Sequence, residues 1–180
     1  MPHITLDNDL PGISGLLTQR PDTAAPLGAL ADALLRVSTP SLGPGDRELI
    51  AAYVSELNGT RFCSDSHRAF AAAQLTGGQE LVKAVLADLD TAPISALTRA
   101  LLRIAAEVRG PVGAVSDAAV EAARAEGADD ADIHDTVLIA AAFCMFNRYV
   151  DGLATKLPDS EGYYCESARR VVSRGYTGAR

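Results

Sequence analysis

The stretch NGTRFCSDSHRAF, residues 58 to 70, sets Cys63 and His67 four positions apart in a chain otherwise rich in alanine and leucine. On a helix, residues i and i+4 share a face with their Cβ atoms roughly 5–6 Å apart. An imidazole at that distance takes a thiol proton or steadies the thiolate, the nucleophilic form of cysteine. Cys63 also falls in the first turn of the expected helix, where unpaired N–H groups and the helix dipole lower a thiol pKa. The spacing therefore predicts an activated cysteine with His67 as its base. The competing reading is a core cysteine beside a core histidine that holds one hydrogen bond, and spacing alone leaves both open.

Other polar groups have plainer readings. His134 and Asp135 begin a long helix and read as a solvated or capping pair. Asn147 and Arg148 follow the apolar run VLIAAAFCMF and read as a pair bridging helices, or reaching Asp151 at a subunit contact. Tyr53 and Phe62 flank the motif as walls of a substrate pocket, with core packing as the alternative. Cys144 reads as a small buried residue, and Cys165 as a thiol able to meet a neighbouring subunit. Three widely spaced cysteines make neither a disulfide framework nor a zinc set, and three histidines make no metal cluster. No phosphate-cradling glycine loop occurs, so neither a metal nor any other cofactor is expected.

Helices must position these groups. Helical periodicity covers 26–37, 46–57 with Asp46 as N-cap, 61–75, and QELVKAVLADL from 79. It continues over 93–108 with Pro93 in the first turn, over SDAAVEAARAEG with Ser116 as cap and Gly127 as stop, and over 129–154 and 161–172. Residues 1–25, broken by Pro2, Pro11, Gly12, Gly15 and Pro21, read as an extended N-terminal arm before a helical domain over 26–180. No alternating β-branched run competes. The expectation is an all-α domain of six to eight helices with Ala-rich packing.

Composition bounds the partners. The 180 residues carry a net charge of −7 with no basic stripe, which argues against nucleic acid. No run reaches the roughly 18 apolar residues of a membrane span, and the N-terminus lacks a basic start followed by an apolar core. Reduced thiols and no leader lead to an expectation of a cytoplasmic protein.

Glu48 extends the motif: it precedes Cys63 by fifteen residues and His67 by nineteen, with Asn58-Gly59 between. Glu56, two turns along the same helix, faces a similar way but lacks that spacing. The order Glu48, eleven residues, Thr60-Arg61-Phe62-Cys63, three residues, His67 resembles the alkyl hydroperoxidase D-like branch of the carboxymuconolactone decarboxylase superfamily. That family's core is glutamate, eleven residues, C-x-x-C, three residues, histidine. YVSELNG before the motif is similar to the family's approach to it. PISALTRALLRIAAEV, DADIHDTVLIAAAF and FNRYVDGLA resemble the second half of its peroxidase-related members, so the likeness covers residues 26 to 155.

The resemblance implies a fold and a set of roles. Cys63 would attack a hydroperoxide and become a sulfenic acid, His67 would be its base, and Glu48 would orient or recharge His67. Thr60 departs from the pattern, since its hydroxyl donates a hydrogen bond but closes no disulfide. An antioxidant, peroxidase-like oxidoreductase of this kind needs an external thiol reductant. The alternative implied by the same family is a decarboxylase-like acid–base enzyme acting on a small organic acid through Glu48 and His67, or a non-catalytic member. Family resemblance also implies a homo-oligomer, whether dimer, trimer or hexamer.

Overall fold

In the computed structural model, which describes residues 2–160 and 162–178, the described residues form nine helices and no strand. They are α1 (Gly12–Gln19), α2 (Pro21–Leu35), α3 (Pro44–Leu57), α4 (Arg61–Ala72), α5 (Gly78–Ala87), α6 (Ala96–Arg109), α7 (Asp117–Ala125), α8 (Asp130–Gly152) and α9 (Gly162–Gly178). The all-α expectation holds, with one helix more than its upper bound.

The extra helix lies where an extended arm was expected. Gly12 opens α1 with φ +55°, a conformation that only glycine adopts without strain, so the glycine that looked like a breaker is the helix start. Pro21 takes the first-turn position of α2, and Pro26 lies inside that helix. A boundary after residue 25 therefore cuts through α2. Leu16 and Ala24, from the supposed arm, are buried.

The hairpin of α3 and α4 carries the motif. Pro44 starts α3 two residues before the expected Asp46 cap, and Asp46 instead accepts the Gly43 N–H at 3.0 Å from the third helical position. Leu49, Ile50, Ala51, Ala52 and Val54 are all 1 % exposed or less, so α3 runs through the centre of the molecule. Burial of Leu49 or Ile50 contributes about 1.5–3 kcal/mol each. Gly59, at φ +73°, turns the chain so that α4 packs along α3.

The remaining helices close around this pair. Asp129 caps α8 in a reciprocal box with Asp132. Ser95, not Pro93, starts α6, because its hydroxyl takes the Thr98 N–H at 3.0 Å while Pro93 stays in the preceding loop. Ser116 caps α7 as expected, and Gly127 has φ +94° just beyond its end. The last helix was expected over 161–172; Glu161 lies outside the described residues, and α9 continues to Gly178 through a break at Gly175, φ +77°. No helix among the described residues is long and apolar enough to cross a membrane. A cavity remains where α1, α2, α4, α8 and α9 meet.

Candidate functional site

Glu48 sits mid-α3 with 1 % of its surface exposed, an expensive place for a carboxylate without partners. It has two. Its Oε2 lies 2.6 Å from His67 Nδ1, and its Oε1 accepts the Tyr176 hydroxyl at 2.7 Å. With Glu48 Oε2 as the acceptor of that contact, the imidazole proton sits on Nδ1 and Nε2 faces away from the carboxylate. Phe143 and Phe70 meet the imidazole edge-on at centroid distances of 4.5 and 5.1 Å, and Tyr176 stacks over it at 6.3 Å. Glu56, by contrast, is partly exposed and takes Ser64 and Arg68, so only Glu48 of the two meets His67.

Cys63 and His67 line the same cavity one helical turn apart, as the i,i+4 reading required. Both are buried, and no hydrogen bond joins them among the described residues. The expected lowering of the thiol pKa is overturned. Burial pushes Cys63 up to about 12, Asn147 opposes this by hydrogen bonding, and the Asp151 charge adds to the rise. Desolvation outweighs the helix terminus because the sulfur is shut away from water. Cys63 rests as a neutral thiol.

Thr60 is at the mouth of α4, fully buried, and donates its hydroxyl to the Asp151 carboxylate. It does not line the cavity. Asn147 ties the hairpin to α8: its amide donates to Ser55 Oγ at 3.0 Å and its carbonyl accepts Asn58 Nδ2 at 2.8 Å. The bridging role expected of Asn147 is thus observed, while Arg148 donates to Cys144 O of its own helix at 3.0 Å.

The cavity measures about 420 Å³. That falls within the roughly 300–1,000 Å³ of small-molecule sites. Phe62, expected as a pocket wall, lines this cavity together with Phe70, Phe143 and Phe146. Tyr53 was expected beside it and is elsewhere. It packs on the main core near Asp90 and Arg103, because its place on α3 faces away from the cavity side of α4. At the rim, Ser14 and Tyr163 join α1 to α9 at 3.0 Å. Arg170 is the one permanently cationic lining residue among those described, and it donates to Ser167 Oγ at 3.0 Å.

Tyr176, Arg170, Tyr163 and Ser14 were not found from sequence. Tyr176 meets Glu48 across 128 residues and Ser14 meets Tyr163 across 149, with no spacing rule to signal such pairs. His134 is exposed against Asp135, whose second partner is the buried Arg47 at 2.6 Å. Cys144 is half-buried, Cys165 is exposed, and neither forms a disulfide. No group of histidine, cysteine, aspartate and glutamate suited to a metal occurs among the described residues.

A family model described as the carboxymuconolactone decarboxylase family matches residues 21–107, which contain Glu48, Thr60, Cys63 and His67. Among solved structures, the chain is similar to the alkylhydroperoxidase AhpD core of an uncharacterized peroxidase-related protein from Ralstonia eutropha. The two share 26% identity with a TM-score of 0.73, over 89% of this chain and 82% of that one. An uncharacterized peroxidase-related protein from Silicibacter sp. shares the fold, with a TM-score of 0.74 and 24% identity over 86% and 78% of the two chains. No curated protein matches at a significant level.

Proposed function

For a chain that belongs to the carboxymuconolactone decarboxylase superfamily and has the AhpD-like fold, we propose a thiol-dependent, peroxidase-like oxidoreductase that reduces organic hydroperoxides at Cys63. The observation that carries this reading is the 2.6 Å bond from Glu48 to His67, behind a cavity that both His67 and Cys63 line. A thiol pushed up to about 12 does not ionise beforehand. Its proton must leave as the sulfur attacks, and a positioned imidazole is the group that takes it. His67 Nε2 accepts that proton, the sulfur bonds the distal peroxide oxygen, and the O–O bond breaks. The departing alkoxide recovers the proton and leaves as an alcohol, while Cys63 holds a sulfenic acid.

Thr60 cannot close a disulfide, so the remaining electrons come from outside. One external thiol displaces water to give a mixed disulfide, and a second releases Cys63 as its own thiol is oxidised. The same reading includes a homo-oligomer, expected from the family resemblance and checked by sedimentation against the 18.8 kDa chain.

A second reading is favoured by the neutral Cys63 together with Arg170 at the cavity. It is a decarboxylase-like enzyme in which Arg170 receives an organic acid and the Glu48–His67 pair moves a proton. Intact-mass measurement separates the two. Reduced protein receives one equivalent of cumene hydroperoxide with a sulfenic-acid trap, beside Cys63→Ser and His67→Ala. Under the peroxidase reading the wild type gains one trap adduct, Cys63→Ser gains none, and His67→Ala slows by about 10²–10⁴-fold. An unmodified wild-type Cys63 would sink that reading and move attention to lactone and keto acids.

A further inference from the structure

Tyr176 lies 128 residues from Glu48 in sequence, yet it donates to Glu48 Oε1 at 2.7 Å while His67 Nδ1 takes the other oxygen at 2.6 Å. The carboxylate thus has one strong donor on each oxygen, in a site where an unmatched oxygen is costly. The same phenol ring lies nearly parallel to the imidazole, at 21°, and closes the face that Phe143 and Phe70 leave open.

We propose that Tyr176 is a positioning residue of this site: its hydroxyl fixes the Glu48 carboxylate, and through it the ring orientation and tautomer of His67. The proposal rests on reading Glu48 and His67 as the proton-moving pair.

The construction of the C-terminal turn supports it. Helix α9 does not run straight to Tyr176. It breaks at Gly175, where φ is +77° and an added Cβ would come within 2.6 Å of Asp32 Oδ1. Asp32 of α2 then grips the turn beyond, accepting Tyr176 N at 2.7 Å, Thr177 N at 3.0 Å and Thr177 Oγ1 at 2.6 Å. Just past the end of α2, Arg36 donates to Val171 O at 2.5 Å and Val172 O at 3.3 Å. A tail that merely covered the core would need neither a left-handed glycine nor a carboxylate set at its bend. Burial and the Glu48 charge hold the Tyr176 phenol well above its ordinary range, so it remains a donor under working conditions.

The test reads His67 directly. Nitrogen-15 NMR of the three imidazoles reports which ring nitrogen carries the proton, and exposed His3 and His134 serve as internal references. Wild type should show His67 in one form, protonated at Nδ1. Tyr176→Phe keeps the ring and removes only the hydroxyl. It should mix the tautomers of His67, leave the other two histidines unchanged, and slow trapping of Cys63 sulfenic acid about tenfold. Asp32→Ala touches neither Glu48 nor His67 and should act in the same direction, which keeps the idea testable if Tyr176→Phe folds poorly. A Tyr176→Phe protein with a lower melting temperature but an unchanged His67 tautomer and trapping rate would overturn the proposal. If wild type forms no sulfenic acid at all, the peroxidase reading fails alone and the tautomer result decides this one.

Discussion

Three influences meet at Cys63: burial and the Asp151 charge raise its pKa, and Asn147 lowers it. Burial wins, which is why spacing brought Cys63, His67 and Glu48 together but misjudged the resting charge of the sulfur. Distances along a helix are readable from sequence, whereas solvent exclusion depends on what α1 and α9 later place over the site. Thr60 is the point at which the motif departs from the pattern it resembles, and one change probes it. In Thr60→Cys, peroxide should yield an internal disulfide, seen as the loss of two hydrogens and no trap adduct. Dithiothreitol should then restore it through repeated cycles. Wild type under the same treatment should keep the adduct. Failure of the variant to lose two hydrogens would mean that this start of α4 does not present the two side chains within disulfide reach.

At the level of helices, the segments with strong periodicity and clear caps were legible: α3, α4, α6, α7 and α8 lie within a few residues of expectation. The first helix and the start of the second were obscured by proline and glycine, whose meaning depends on position. Pro21 starts α2, and Gly12 starts α1 because it accepts a positive φ. Gly12 also leaves room for its neighbour, since a Cβ there would lie 2.4 Å from the Phe62 ring. Gly12→Ala should therefore destabilise the protein by about 1–3 kcal/mol. It should also push α1 off the cavity, so that alkylation of Cys63 by a small neutral reagent becomes faster. Denaturant melts with timed alkylation check both, and a variant as stable and as slowly alkylated as wild type would refute the close-packing argument.

Over the whole molecule, the thiol and the phenols that are perturbed are all raised, and this sets an alkaline pH limit. Cys63 rises from 9.0 to about 12 and Tyr164 from 10.0 to about 12, and Tyr176 also lies well above its ordinary value. A group whose folded pKa exceeds its unfolded one contributes fully below the unfolded value, and that contribution is lost as pH rises to the folded value. Stability should accordingly decline between about pH 9 and about pH 12. Thermal melts across that window should show Cys63→Ala with a flatter slope from its alkaline onset. Parallel slopes would mean that the thiol is not withheld from water as described.

The cavity is assembled from opposite ends of the chain, with Ser14 bonded to Tyr163 and Tyr176 bonded to Glu48. This sets an order of events during synthesis. When residues 48 to 67 leave the ribosome, the helix that will cover them has not been translated. A nascent chain therefore carries Cys63 in water, open to oxidants and metals, until the codon for Tyr176 has been read.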